Sequence, residues 1–200
     1  MPPAPIPGSG DYWEHRFEIN DTPWDLGAPS PPLKAYIDQL EDKAMHILIP
    51  GCGNSYEAEY LLAQGFTNIT LIDIAPALTR RLEEKFSAYL NRQLQIITGD
   101  FFGLTGSYDL ILEQTFFCAL DPFLREAYAH KMLSLLQPGG RLAGVLFNRL
   151  FPIVGPPFGG TTEEYQQLFA PLFRIITLEP CYNSVKPRAG TECFFILQKE

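Results

Sequence analysis

The stretch Ile47-Leu48-Ile49-Pro50-Gly51-Cys52-Gly53-Asn54-Ser55 decides the fold. Ile47 to Ile49 run apolar without alternation, the pattern of a parallel strand covered on both faces. Gly51 and Gly53 permit a tight turn and let a ligand approach the backbone with no Cβ in the way. Asn54 and Glu57 have the spacing of a helix N-cap pair, which predicts a helix with Ala58, Leu61 and Leu62 on one face. Strand, glycine turn and helix in this order open a doubly wound α/β domain that binds a nucleotide.

Two ligands commonly sit on such a turn. The dinucleotide fingerprint G-x-G-x-x-G would need glycine at Tyr56, where a phenol crowds a pyrophosphate. The methyltransferase version, G-x-G-x-G, would need glycine only at Ser55, a smaller departure. Asp73 ends the next strand, Asn68 to Asp73, where a carboxylate can accept from both hydroxyls of a ribose. These residues favour S-adenosylmethionine over NAD.

Outward from this centre, 200 residues predict one domain with a sizeable core. The divisions expected are a disordered Pro/Gly-rich tail over 1–10, an aromatic N-terminal cover over 11–42 and an α/β core over 43–200. A net charge of −8 argues against nucleic acid or an anionic membrane as partner, since phosphate binding needs a basic surface. Cys52, Cys118, Cys181 and Cys193 form no C-x-x-C pair, so neither zinc nor a disulfide framework is expected, and free thiols fit a reducing cytoplasm. The start lacks the basic and apolar segments of a signal peptide, and no apolar run approaches membrane-spanning length. A cytoplasmic monomer is the expectation.

Residues 11–40 carry Tyr12, Trp13, Phe17, Trp24 and Tyr36. Trp13 and Phe17, four apart, share a helix face, and Pro31 or Pro32 starts a second helix. These aromatics either cover one end of the sheet or close over a bound sulfonium, which aromatic faces attract. After Ala75-Pro76 a helix carries Leu78, Leu82, Phe86 and Leu90. Strand three, Leu94 to Thr98, ends in Gly99-Asp100-Phe101-Phe102, where Asp100 can accept from an adenine amine and Phe101 pack on its ring. Strand four runs from Tyr108 to Gln114. Asp121-Pro122 then caps a helix striped by Leu124, Tyr128, Met132 and Leu135, and strand five is Arg141 to Phe147. A Pro/Gly-rich loop spans 148–160, Thr161 and Glu164 form a capping box, and Phe173–Glu179 with Glu192–Gln198 make a closing antiparallel hairpin.

Five parallel strands, interleaved helices and a terminal hairpin are the architecture of the class I S-adenosylmethionine-dependent methyltransferases. The chain resembles the thiopurine S-methyltransferase family, and within it the thiol and halide (thiocyanate) methyltransferases. The resemblance is carried by Trp13, Asp21-Thr22-Pro23-Trp24-Asp25-Leu26-Gly27, Ile49 to Gly53, Asp73-Ile74, Asp100-Phe101-Phe102, Phe116 to Pro122 and Gly155-Pro156-Pro157-Phe158. It implies S-adenosylmethionine as cofactor, S-adenosylhomocysteine as product, and cofactor contacts at Trp13, Phe17, Trp24, Gly51, Gly53, Asp73, Ile74, Asp100, Phe101 and Gln114. Phe17 stands where the halide type has tryptophan, and Gln114 where that type has tyrosine and the thiopurine type arginine.

Methyl transfer to a soft nucleophile needs proximity and exclusion of water more than a base. No catalytic general base is expected: His46 opens the first strand, His130 lies within a helix, and His15, in the cover and the only plausible base of the three, reads better as a surface residue. No Ser–His–Asp or metal constellation is recognisable. The acceptor expected is a small thiol, hydrosulfide, halide or thiocyanate, or an aromatic thiol, in a pocket rimmed by Phe116, Phe117, Phe147 and Phe158. The rivals are a small-molecule O- or N-methyltransferase and a non-catalytic S-adenosylmethionine sensor, in which Phe116, Phe117 and the 148–160 loop would fill the methyl-facing space.

Overall fold

The run that opened the sequence reading is the buried strand β1 (Ile47–Pro50), with β2 (Ile69–Asp73) on one side and β4 (Tyr108–Gln114) on the other, both parallel to it. The structure, a computed structural model, describes residues 6–152 and 155–200. With β3 (Leu94–Thr98), β5 (Leu136–Phe147), β6 (Arg174–Pro180) and β7 (Glu192–Gln198), the strands form one sheet in the order β3-β2-β1-β4-β5-β7-β6. The chain winds outward from β1 to β3, then returns to lay β4 on the other flank of β1. The crevice between β1 and β4, beyond the strands' carboxyl ends, is where such sheets bind ligands. β7 runs antiparallel between β5 and β6, as the closing hairpin predicts.

Both faces are apolar because each strand alternates between two apolar sets. Ile47, Ile49, Ile69, Leu71, Leu110 and Leu112 face one layer, built from α1 (Gly10–Glu18), α2 (Pro31–Ile37), α3 (Tyr56–Ala63) and α4 (Pro76–Lys85). Leu48, Ile72 and Ile111 face the other, with α5 (Arg125–Leu135) and α6 (Thr162–Phe169). A residue fully buried on such a sheet contributes roughly 1.5–3 kcal/mol, which makes these two clusters the main source of stability.

Several boundaries differ from the sequence reading. α4 ends at Lys85, so Phe86 is a buried C-cap, and Leu90 bridges to Leu94 instead of extending the stripe. Asp121 caps a short 3₁₀ turn, Pro122–Leu124, by accepting from Phe123 N–H at 2.9 Å; the α-helix proper begins at Arg125. Leu124 therefore leaves the buried stripe that Tyr128, Met132 and Leu135 keep. β5 starts at Leu136, ahead of the expected Arg141. Within the expected tail, Met1–Pro5 lie outside the described residues, whereas Ser9 caps α1 by accepting from Tyr12 N–H at 3.2 Å. The capping box of α6 forms as expected between Thr161 and Glu164.

Candidate active site

A cavity of about 660 Å³ opens over the carboxyl ends of β1, β2, β4 and β5, within the size range of small-molecule sites. Its floor is the glycine turn. Gly51 has φ +55°, and a Cβ there would overlap the Phe116 ring, so turn and ring interlock only because residue 51 is glycine. Gly53, at φ +49°, faces open space, which leaves its backbone available to a ligand.

Helix α3 starts differently from the expected Asn54–Glu57 cap. Ser55 is the N-cap, in the left-handed region at φ +52°, with its hydroxyl on the Cys52 carbonyl at 3.1 Å. That backbone conformation is natural to glycine, so Ser55 retains the turn of a G-x-G-x-G motif without its third glycine. Asn54 and Glu57 are used for something else. The Asn54 amide donates to the Asp25 carboxylate, and Glu57 accepts from Ser30 N–H at 2.9 Å. Both residues thereby fasten the N-terminal cover to the turn.

Two further ties complete that fastening. Ala75 gives α4 no side-chain cap, and Glu14 of α1 supplies one, both carboxylate oxygens lying 2.9 Å from Ala77 N–H. From the other side Arg188 donates to the Trp24 carbonyl at 2.8 Å. Between these ties Trp24 meets Trp13 (centroids 5.3 Å apart) and Phe17 (5.9 Å) edge to face. All three line the cavity.

Asp73 stands at the end of β2, 7% exposed, accepting from Gly53 N–H at 3.2 Å and Ala75 N–H at 3.1 Å. Burial pushes its carboxyl up to about 6, against the lowering effect of these backbone donors, with a smaller upward push from Glu14. Ile74, Asp100, Phe101 and Gln114 also line the cavity. Asp100 commits one oxygen to Phe102 N–H at 2.9 Å. Phe101 packs edge to face on Phe116. The Gln114 side-chain oxygen is buried with no hydrogen-bond partner among the described residues. All ten residues expected to hold the cofactor thus meet in one cavity.

The four expected acceptor residues divide. Phe116 and Phe147 line the cavity, whereas Phe117 and Phe158 do not. For Phe116 and Phe117 the cause is Glu113, a buried carboxyl that the sequence reading passed over. One of its oxygens accepts from the N–H groups of Phe116 and Phe117, each at 2.9 Å, and the other from the Tyr128 hydroxyl at 2.8 Å. With Thr115 at φ +59°, this fixes a 3₁₀ turn, Phe117–Ala119, that points the two rings apart. Phe116 meets the glycine turn; Phe117 enters the core between Tyr128 and Tyr165. Phe158 instead donates its N–H to the Cys118 carbonyl at 2.7 Å. Phe151, Pro156 and Pro157 supply the apolar wall in its place.

Other lining residues went unnoticed in the sequence, chiefly Arg16, Arg149 and Arg188. No histidine or lysine lines the cavity among the described residues, and His15 is exposed outside it. Cys52 and Cys118 do line it, but burial raises both thiols, so neither is held ready as a thiolate nucleophile.

A buried ribose-type acid, open backbone at Gly53, an aromatic cover and an unpartnered Gln114 oxygen fit S-adenosylmethionine. Comparison with known proteins agrees. The family model "Thiopurine S-methyltransferase (TPMT)" matches residues 9–194. "Probable thiol methyltransferase 2" of Arabidopsis thaliana is 33% identical over 92% of this chain and 83% of its own length. "Thiopurine S-methyltransferase" of Vibrio parahaemolyticus is 30% identical over 80% of this chain and 81% of its own. In fold, the chain is similar to Burkholderia thailandensis 1,6-didemethyltoxoflavin-N1-methyltransferase, with TM-score 0.76 and 18% identity over all of this chain and 92% of that one. The chain belongs to the thiopurine S-methyltransferase family, and is with it an S-adenosylmethionine-dependent methyltransferase of class I fold.

Proposed function

We propose that the enzyme methylates a small soft nucleophile, a thiol or hydrosulfide before a halide or thiocyanate, and an aromatic thiol last. The observation that carries this is the mostly apolar wall beyond Gln114: Phe147, Phe151, Pro156, Pro157, Leu120 and Cys118, with Arg149 and Arg188 beside Phe151 and Phe147 and no histidine or lysine among the described residues. An apolar, desolvated wall favours polarizable anions, which lose less hydration on entry than hard ones. An alcohol or amine acceptor would need a base to remove its proton, and this wall offers none.

When bound, S-adenosylmethionine supplies a methyl on a sulfonium: the acceptor's lone pair forms the new bond, and the electron pair of the old one stays on the leaving thioether. The chain's residues position and enclose. Asp73 accepts from the ribose hydroxyls, Asp100 and Phe101 hold the adenine, and Gln114 accepts from the ammonium of the methionine part. Gly51, Gly53 and Ile74 form the surface beneath the cofactor. Trp13, Phe17 and Trp24 exclude water and face the cation with aromatic surface. Phe116, packed on Gly51, and Phe147 border the acceptor. The open cavity speaks against the sensor reading, which needs this space filled.

The free, buried cysteines fit a cytoplasmic enzyme, and we place it there as a monomer acting on small molecules, without nucleic acid or membrane partner. Among the described residues no helix is long and apolar enough to cross a membrane.

Labelled-methyl transfer to a panel of small thiols, hydrosulfide, iodide, thiocyanate, phenols and amines tests the reading. Rate with a thiol should follow its thiolate fraction as pH rises, and rate with iodide should not. Methylation of an alcohol or amine with every soft nucleophile inert would sink it.

A further inference from the structure

The cavity is acidic at one end and basic at the other. Its carboxylates, Asp25, Glu57, Asp73 and Asp100, stand on the cover, the start of α3 and the ends of β2 and β3. At the β5 end the charged side chains are arginines set against aromatic rings. The Arg149 guanidinium lies 4.8 Å from the Phe151 ring centre, Phe151 meets Phe147 edge to face at 5.0 Å, and Arg188 lies 5.5 Å from Phe147. All four line the cavity.

The cavity arginines differ in what they already hold. Arg188 is paired with Glu192 at 3.5 Å, and Arg16 with Asp21 at 2.9 Å and with the Tyr12 hydroxyl. Among the described residues no carboxylate lies within ion-pairing distance of Arg149, and Met1–Pro5, Ile153 and Val154 carry no acidic side chain. Its side chain is exposed, so water serves it and gives way at little cost. Its backbone is held firmly. Gly160 donates its N–H to the Arg149 carbonyl at 3.1 Å, and a Cβ on Gly159 would overlap that same oxygen and crowd the Phe151 ring. Arg125 of α5 donates to the Gly159 carbonyl at 2.6 Å, which ties this part of the loop to the core. Arg149 and Phe151 are thus presented to the cavity as a fixed pair.

Resting on the proposed acceptor class and on Phe147 bordering it, we infer that Arg149 is a second acceptor subsite, and that the preferred acceptor is a small thiol bearing a carboxylate. The guanidinium fork offers two parallel N–H donors, the geometry a carboxylate accepts best. The guanidinium stays within about 10 Å of the Phe147 ring, a gap that a few carbon–carbon bonds of ~1.5 Å and one hydrogen bond of ~2.9 Å bridge. Phe147 and Phe151 give the intervening methylenes an apolar surface. Charge sorts the orientation: a carboxylate at the other end would meet Asp73 and Asp100, so the sulfur goes inward and the carboxylate stays at the rim. In the transfer, the thiol proton leaves to solvent and a sulfur lone pair forms the bond to the methyl carbon. The electron pair of the broken bond stays on the departing thioether, and the carboxylate keeps its charge and its contact throughout.

Initial rates with 3-mercaptopropionate and 1-propanethiol, thiols of equal carbon count, test this in wild type, Arg149→Met and Arg149→Lys at saturating S-adenosylmethionine. Compared per thiolate, kcat/KM in wild type should favour the carboxylated thiol about fivefold, the upper end for an exposed ion pair. In Arg149→Met, which keeps an unbranched stem over Phe151, that ratio should fall to about one. Lysine retains the charge without the fork, and its ratio should lie between. Added salt should erode the wild-type ratio. A ratio of one in wild type, or a preference that survives Arg149→Met, would overturn the inference. So would a parallel loss with both thiols, which would make Arg149 a part of the wall alone. A fall in S-adenosylhomocysteine affinity in Arg149→Met would overturn it as well, by assigning the arginine to the cofactor's own carboxylate. Calorimetry with the product 3-(methylthio)propionate, in protein loaded with S-adenosylhomocysteine, separates this inference from the proposed function. If thiols and iodide are methylated but this product binds wild type and Arg149→Met alike, the inference fails and the proposed function stands. If the product binds through Arg149 but no soft nucleophile is methylated, the reverse holds.

Discussion

The two ends of the cavity are built in different ways. The end over β1, β2 and β3 is made by residues close to strand termini: a glycine turn, Asp73 on the last residue of β2, Asp100 and Phe101 just after β3. Backbone geometry fixes each of them, so side chains have little freedom to be elsewhere. The end over β5 is assembled from side chains on separate loops, with Phe147 from β5, Phe151 and Pro157 from the loop after it, and Arg188 from the hairpin. On the proposed binding mode the first end reads a constant ligand and the second a variable one. A fold can exchange the loops of the second without disturbing the first.

The largest effect expected tests the boundary of the acceptor end. Phe117→Ala should destabilise the protein by about 3–5 kcal/mol, the usual cost of emptying an aromatic site in a core, and leave acceptor KM unchanged. Phe147→Ala, half-buried in the cavity wall, should do the opposite: a modest change in melting temperature and a severalfold rise in acceptor KM. Thermal melts and initial rates decide it. Should Phe117→Ala alter KM as strongly as Phe147→Ala, the two rings are not divided by the Glu113 turn as described.

Next comes the cofactor end. Asp73→Ala removes the carboxylate that accepts from two ribose hydroxyls in the proposed binding mode, and hydrogen bonds to a charged group contribute about 1.5–3 kcal/mol each. Loss of S-adenosylhomocysteine affinity should reach about a hundredfold or more by calorimetry, with the fold retained. Asp100→Ala should cost less, since one of its oxygens already serves the turn.

The same acid predicts a pH dependence. The Asp73 carboxyl titrates near 6 in the free protein, raised by burial. Ribose hydroxyls donate best to the ionised form, so S-adenosylhomocysteine affinity should be flat above about pH 7 with respect to this group. It should fall as pH drops through 6, approaching tenfold per unit. For stability the sign is opposite. A raised carboxyl favours the native state in its protonated form, a contribution present below the unfolded value and lost as pH rises through 6. Asp73→Asn should flatten the binding profile; a slope that persists in this variant would assign it to another group.

How much of this was legible in the sequence follows the same division. Strand periodicity, the glycine turn and the terminal acids are local signals, and they placed all seven strands with Gly51, Gly53, Asp73, Asp100 and Phe101 at their carboxyl edge; Ile74 and Gln114 came only through the family resemblance, and the residues alone left the role of Trp13, Phe17 and Trp24 open. What failed were readings in which a local motif had two uses. Asn54 and Glu57 have N-cap spacing, but Ser55 in the left-handed region takes the cap and frees both for the cover. Phe116 and Phe117 are equivalent in sequence, and only the buried Glu113, accepting from both N–H groups, tells them apart. Arg188 had no signal at all. Its place depends on β7 returning antiparallel against β5, a long-range pairing that spacing cannot reveal.

The smallest effect expected concerns the ties that hold the cover at each end. At the cofactor end Asp25 accepts from the Asn54 amide and from the Tyr56 hydroxyl at 3.3 Å, while its other oxygen shapes its own loop through Gly27 N–H at 2.7 Å. Asp25→Ala therefore removes both a docking contact and a turn, and Asn54→Ala only the docking contact. If docking is the main role, the two substitutions are non-additive: the double variant should resemble Asp25→Ala, with a coupling of about 1 kcal/mol in S-adenosylhomocysteine affinity, about fivefold. Tryptophan fluorescence of Trp13 and Trp24 supplies a second readout, since a loosened cover should respond less at a given ligand concentration. The effect should remain at the cofactor end, lowering cofactor affinity while acceptor KM at saturating cofactor stays put. Additive losses would mean that Asp25 acts through its loop and not through Asn54. A raised acceptor KM would mean that the cover transmits strain along its length to Trp24 and Arg188, and that the two ends are less independent than their construction implies.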